Sequence, residues 1–266
     1  MGRIGERFAA LREREETALV AFVTGGDPDL GTTGLLVQAL ARAGADAVEI
    51  SVPFSDPIAD GPTIQRSSER ALRGGVTLRK VLQLVKELRP TVDVPLLLMG
   101  YANTFLHMGA EPFSRAAAEV GVDGTIVVDL PPEEGEDLFA AEEAAGVDPV
   151  LLAAPTTGPA RLAKIAKRSR GFLYYVSLTG VTGARARLPE QLAEGVRRVR
   201  EASPVPVCVG FGISTPEQAA RVAVHADGVV VGSAFVQRIE EAPSPEAAVE
   251  AVARLAAELK APLRPR

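Results

Sequence analysis

Short apolar runs bounded by Gly, Pro or Asp recur along the whole chain: ALVAFVT (18–24), DAVEIS (46–51), VPLLLMG (94–100), GTIVVD (124–129), PVLLAA (149–154), FLYYVS (172–177), VPVCVG (205–210) and DGVVVG (227–232). Between them lie stretches of helical period, among them LLVQALARAG, LRKVLQLVKELR, AAAEVGV, EQLAEGVRRVR and PEQAARVAVH. Several open on a capping residue followed by proline, as in Ser214-Thr215-Pro216 and Ser244-Pro245. Strand alternating with helix predicts βαβ units and a parallel sheet. Most of the runs are continuously apolar rather than alternating, so both faces of the sheet are covered. Eight such units predict an α/β fold of the (β/α)8 TIM-barrel type. The competing architecture, a doubly wound open sheet, usually has fewer strands and often a glycine-rich dinucleotide turn, and neither GxGxxG nor GxxxxGK[ST] occurs. The leading segment IGERFAALREREE reads as an extra N-terminal helix that plugs the barrel bottom, and GSAFVQRIEE as a short helix after the eighth strand.

Length and composition fit this picture. A chain of 266 residues, 47% apolar and 24% charged, with no linker-like break, suits one barrel domain spanning 1–266. Its formal charge of -5 supplies no basic face for nucleic acid or an anionic membrane, so neither is an expected partner. The charged N-terminus lacks the apolar core of a signal peptide, no window approaches the ~18 apolar residues of a membrane span, and the single Cys208 cannot form an internal disulfide. A cytoplasmic location follows as the expectation. His107 and His225 stand far apart without neighbouring ligands, so no metal site is predicted. All five lysines (Lys80, Lys86, Lys164, Lys167, Lys260) fall in helix-like polar stretches, which argues against a strand-borne Schiff-base lysine.

Glu49 breaks the pattern: it is a carboxylate near the end of the apolar strand DAVEIS. Alternation puts Val48 and Ile50 on one face and Ala47, Glu49 and Ser51 on the other. If the larger pair faces the helices, Glu49 points into the barrel at its C-terminal mouth, where such enzymes keep their active sites. Burial there raises a carboxyl pKa and suits a proton shuttle; the plainer reading is a rim glutamate paired with a basic residue. The loop VPFSDPIADGPTIQ (52–65) follows. Its Asp60 either caps the helix that TIQRSSERAL begins, the reading that pattern alone favours, or folds back over the same mouth as a second carboxylate. Glycine clusters follow the last three strands: Gly180-Val181-Thr182-Gly183, Gly210-Phe211-Gly212 and Gly232-Ser233. Backbone N–H groups there can approach an anion closely, and together the clusters predict a phosphorylated substrate.

The tracts VEISVPFSDPIADGPTIQ, YANTFLHMGAEPFSRAAAEVGVDGTIVVDLPPEE and YYVSLTGVTGAR, with GFGIS and GSAFV, resemble the tryptophan synthase alpha subunit family, in order and over nearly the whole chain. The resemblance implies a (β/α)8 barrel and a carbon–carbon lyase that cleaves indole-3-glycerol phosphate into indole and glyceraldehyde 3-phosphate in tryptophan biosynthesis. It implies Glu49 as general acid/base, Asp60 as partner of the indole nitrogen and Tyr174 as a supporting residue; Tyr175 competes, and the Tyr-x-x-Ser spacing before Gly-Val-Thr-Gly favours Tyr174. Carried over in the same way, Phe22, Ile64, Met99, Tyr101, Ile126 and Phe211 line the indole pocket, Thr182 belongs to a mobile lid, and Gly183, Gly212, Gly232 and Ser233 bind phosphate. A PLP-dependent beta subunit, in a heterotetramer of two alpha and two beta subunits, receives the indole and docks on the rim at Pro53, Asp56, Pro57, Asp129 and Pro131. PLP then belongs to the partner, and this chain needs no cofactor of its own.

Overall fold

In a computed structural model, which describes residues 2–177, 188–210 and 212–265, the apolar runs form parallel strands: β1 (Ala18–Thr24), β2 (Ala47–Ser51), β3 (Leu96–Gly100), β4 (Gly124–Val127), β5 (Asp148–Pro149), β6 (Leu152–Ala153), β7 (Leu173–Val176), β8 (Val207–Gly210) and β9 (Gly228–Val231). The fifth run is thus split in two. Pro149 has no N–H to donate, and the two halves serve different neighbours: β5 pairs with β4, and β6 pairs with β7. The sheet order is β5-β4-β3-β2-β1-β9-β8-β7-β6, so its two ends are the halves of one short segment. Between them Val150 donates its N–H to Thr125 and Leu151 accepts from Tyr174. The ring therefore closes, and the structure is a barrel rather than an open sheet.

The helices are α1 (Arg3–Glu13), α2 (Leu30–Ala43), α3 (Pro62–Arg73), α4 (Leu78–Leu88), α5 (Ala102–Leu106), α6 (Ala110–Val120), α7 (Glu136–Ala145), α8 (Pro159–Arg168), α9 (Leu188–Ala202), α10 (Pro216–Ala223), α11 (Ser233–Glu241) and α12 (Pro245–Lys260). Their starts follow local chemistry. Asp29 caps α2 by accepting from the Thr32 N–H, Thr215 and Gln218 form a reciprocal capping box at α10, and Ser244 caps α12 ahead of Pro245. Outward strand residues such as Val48, Ile50, Leu96 and Leu98 pack against this helical layer. Inside the ring, Ile4, Phe8 and Leu11 of α1 pack on Ala18, Ala47, Leu97, Val150, Phe172 and Cys208, so α1 plugs the bottom of the barrel as predicted. The lysines all lie on helices, and Lys260 is buried against Asp46 and Glu16. No helix among the described residues is long and apolar enough to cross a membrane.

Candidate active site

The strand alternation that sends Val48 and Ile50 outward turns Glu49 inward, and its side chain is fully buried, at 0% exposure. Among the described residues neither carboxylate oxygen of Glu49 has a hydrogen-bond partner, so the reading as a rim ion pair is set aside. Burial alone moves its pKa from the ordinary 4.5 to about 8, which leaves the carboxyl protonated near neutral pH. Glu49 lies in the wall of a cavity of about 510 Å³ at the C-terminal mouth, shared with Phe22, Asp60, Ile64, Met99, Tyr174, Gly212, Gly232 and Ser233. That volume fits a small ligand. A hollow of about 700 Å³ beside α9 and α10 is larger, but its walls are the salt-bridged Glu194, Arg197 and Glu201 of an exposed helix face.

Asp60 does not cap α3. The N-cap is Gly61 and Pro62 opens the helix, which leaves Asp60 one residue too early to reach the free N–H groups of the first turn. Its carboxylate instead accepts from the Tyr101 hydroxyl at 3.0 Å, and the same hydroxyl accepts from the Ala59 N–H at 3.0 Å. Burial raises the Asp60 pKa, and the Tyr101 hydrogen bond opposes that rise. Tyr101 is therefore a support rather than a pocket wall: its ring stacks on Phe54 with centroids 5.0 Å apart, outside the cavity lining.

Of the adjacent tyrosines, Tyr174 faces the cavity and Tyr175 packs outward in the helix-covered core. A Cβ at Gly210 would collide with the Tyr174 hydroxyl, so glycine there gives the ring its place across the barrel. Burial, and then the charge of Glu49, pushes the Tyr174 phenol well above its usual range. Ile126 does not line the cavity. It is fully buried one layer down with the plug, and Val128, two residues nearer the mouth on the same face, takes the lining position with Leu152, Val176 and Val230. Sequence reasoning missed these four; alternation held the signal for three of them, Val128 two residues after Ile126, Val176 two after Tyr174 and Val230 two before Gly232.

Elsewhere in the cavity wall, Gly232 is the N-cap of α11, and among the described residues no side-chain cap hydrogen bond is made there. The leading N–H groups of a helix lack partners within it and are suited to an anion. Gly212 contributes backbone at φ +70°, a conformation natural to glycine. Thr182, Gly183 and Phe211 lie outside the described residues. On the rim, Asp56 is exposed, Pro57 and Pro131 are half-buried, and Ile58 stands 88% exposed. Pro53 is corrected: it directly follows the β2 extension, where Val52 still donates to Met99, and is buried rather than displayed. Asp129 is exposed and accepts from the Ala102 N–H at 2.7 Å, which fastens the start of α5. Among the described residues no cluster of His, Cys, Asp and Glu has the makings of a metal site.

Comparison with known proteins bears on this arrangement. Residues 8–264 match the family described as tryptophan synthase alpha chain. The tryptophan synthase alpha chain of Citrifermentans bemidjiense is 56% identical over 241 residues, covering 91% of this chain and 90% of that protein. The Geobacter sulfurreducens protein of the same name is 53% identical over 240 residues, covering 90% and 91%. Among solved structures, tryptophan synthase subunit alpha from Legionella pneumophila superposes with a TM-score of 0.92 at 37% identity, covering 99% of this chain and 98% of that one. A chain of Mycobacterium tuberculosis tryptophan synthase gives 0.91 at 38% identity, covering 100% and 99%. With matches of this extent to sequence and fold alike, the chain belongs to the tryptophan synthase alpha chain family.

Proposed function

We propose that this chain, working as one barrel domain in the cytoplasm, is the lyase that cleaves indole-3-glycerol phosphate into indole and glyceraldehyde 3-phosphate, the alpha reaction of tryptophan biosynthesis. The observation that carries the residue assignment is the fully buried carboxyl of Glu49, without a hydrogen-bond partner among the described residues, in a cavity that also holds Asp60. Retro-aldol cleavage needs an electron sink, and the indole ring is one. Glu49 as the acid gives its proton to indole C3, forming an indolenine with positive charge at N1. The Glu49 carboxylate then takes the proton from the hydroxyl on the carbon attached to C3. That carbon becomes the aldehyde, the C3–C bond breaks, and its electrons return to the ring to release indole. Asp60, held by Tyr101, accepts the N1–H and stabilises the charge that develops there. Tyr174 fixes the wall beside Glu49. The family resemblance alone assigns Thr182 to a lid, Gly183 to phosphate binding and Phe211 to indole binding. No cofactor is required of this chain. Incubating the purified protein with the substrate and measuring free indole tests the reading; an isomerase or synthase on the same barrel would release none.

The phosphate end is assigned to Gly212, Gly232 and Ser233. Gly212→Val would confound this test through its positive φ, so Gly232→Val is the cleaner variant. Among the described residues the nearest atoms to a Cβ there are those of Phe22 at 3.5 Å, an ordinary contact. We expect KM for the substrate to rise about tenfold or more, the value of a charge-assisted hydrogen bond or two, with kcat changed less. Competition by inorganic phosphate should weaken in parallel; unchanged inhibition by phosphate would remove the site from this position.

The rim formed by Asp56, Pro57, Ile58, Asp129 and Pro131 is the proposed docking surface for a PLP-containing beta subunit, in a heterotetramer of two alpha and two beta subunits. An isoleucine so exposed is a natural anchor for a partner, and the prolines reduce the ordering cost of docking. Because the same loop carries Asp60, docking that orders it should raise turnover, and substrate should tighten the complex by the same factor. Titrating a cognate beta subunit against cleavage rate and complex size checks this. Pro57→Ala should weaken the rate enhancement and leave phosphate competition unchanged.

A further inference from the structure

Besides the short α5 between β3 and α6, two helices among the described residues exceed the one-per-strand plan at the mouth of the barrel: α3, between β2 and α4, and α11, between β9 and α12. They pack against each other there. The residues leading into and opening α3, from Asp60 to Ile64, line the cavity, and so do Gly232 and Ser233 at the start of α11. Part of their junction is apolar, where Ile64 of α3 and Val236 of α11 close on Phe22. The rest is ionic and centres on Arg70. Its Nε and Nη2 donate to the two carboxylate oxygens of Asp27 at 2.8 and 2.9 Å, while Nη1 donates to Glu240 of α11 at 2.8 Å. Arg66, one turn earlier, makes its own fork to Glu240 at 2.7 and 2.6 Å. Asp27 lies three residues beyond β1 and is 1% exposed, so its charge depends on Arg70 for compensation. A hydrogen bond of 2.7 Å between Thr24 and Ser67 ties α3 to the end of β1 a second time. Hydrogen bonds from Arg66 and then Arg70 hold the Glu240 carboxyl down at about 2, so this carboxyl is ionised at neutral pH.

We infer that Arg70 is a positioning residue: by gripping Asp27 and Glu240 together it fixes the Asp60–Ile64 wall relative to the Gly232–Ser233 turn, and so the span over which a ligand touching both is held in a reactive pose. This role rests on the cleavage reading above. A ligand that contacts both segments gains from the linkage only when their spacing matches it, whereas a fragment that contacts one segment is indifferent to it. A planar fork with donors on two edges is needed to hold two carboxylates at fixed angles, and lysine cannot reproduce it.

The test compares whole substrate with fragments in Glu240→Gln and Arg70→Lys. Glu240 is partly exposed, so Glu240→Gln spares the buried Asp27–Arg70 pair and keeps the fold even if Arg70→Lys does not. Kinetics of indole release give kcat and KM for indole-3-glycerol phosphate, and calorimetry gives Kd for inorganic phosphate and for indole separately. We expect kcat/KM to fall about tenfold or more, while each fragment Kd stays within about twofold of wild type, since a displacement near 1 Å suffices for a large loss of rate. A role in stability alone would move substrate and fragments together. Equal losses for substrate and fragments, or kcat/KM within about twofold of wild type, would overturn the inference. The wild-type control separates the two claims: a wild-type protein that releases no indole fails the cleavage reading, and the span role falls with it.

Discussion

Replacing Glu49 with Gln is expected to lower kcat for indole release by roughly two to four orders of magnitude, the usual worth of a positioned acid/base, with KM little changed. The amide keeps the shape of the side chain but can neither protonate C3 nor accept the hydroxyl proton. The same variant should be more stable than the parent. Folding raises the Glu49 pKa from the ordinary 4.5 to about 8, so the folded protein holds more protons than the unfolded chain between those values. The stability associated with the neutral carboxyl is complete below the unfolded pKa and is lost progressively as pH rises towards about 8. At pH 7 the substitution should therefore add about 3 kcal/mol, and the gain should vanish near pH 4. Denaturant titrations at the two pH values read this directly. A variant that keeps more than about a tenth of the parent kcat removes Glu49 from the chemistry. One that loses both activity and stability at pH 7 shows a packing role.

Asp60→Asn carries the second large effect. The amide still accepts the Tyr101 hydroxyl, and α3 does not depend on this side chain for its cap, so the melting temperature should hardly move. The rate should nevertheless fall about a hundredfold or more, because a neutral acceptor cannot balance the charge at N1, and preorganised electrostatic partners are commonly worth that much. The loss should appear mainly in kcat, since charge at N1 develops after the substrate binds. Near-parental turnover with intact binding would reduce Asp60 to a loop-ordering residue.

Much of this is legible in the sequence. The continuous apolar runs disclosed a parallel sheet covered on both faces, and alternation within DAVEIS disclosed that Glu49 faces inward, because both depend only on neighbours in the chain. Asp60 was misread by pattern: an aspartate ahead of a helix commonly caps it, but Gly61 and Pro62 shift the helix start by a residue and free the carboxylate for Tyr101, 41 residues away. Ile126 and Val128 share a face, and only the depth of each strand in the barrel, a property of the closed ring, decides which one reaches the ligand. The split of the fifth strand was hidden for a like reason: PVLLAA is uniformly apolar, and its change of partner at Val150 and Leu151 is a matter of closure. Least legible was the junction at Arg70, whose partners lie 43 and 170 residues away and whose residue types also suit an ordinary solvated helix face.

The most direct measurement is the stoichiometry of products from indole-3-glycerol phosphate with the purified chain alone, and again with a cognate beta subunit in the absence of serine. The account predicts indole and glyceraldehyde 3-phosphate in equal amounts in both cases, slowly from the isolated chain and faster when the rim is occupied. Consumption of substrate without free indole, or no consumption in either case, would contradict it.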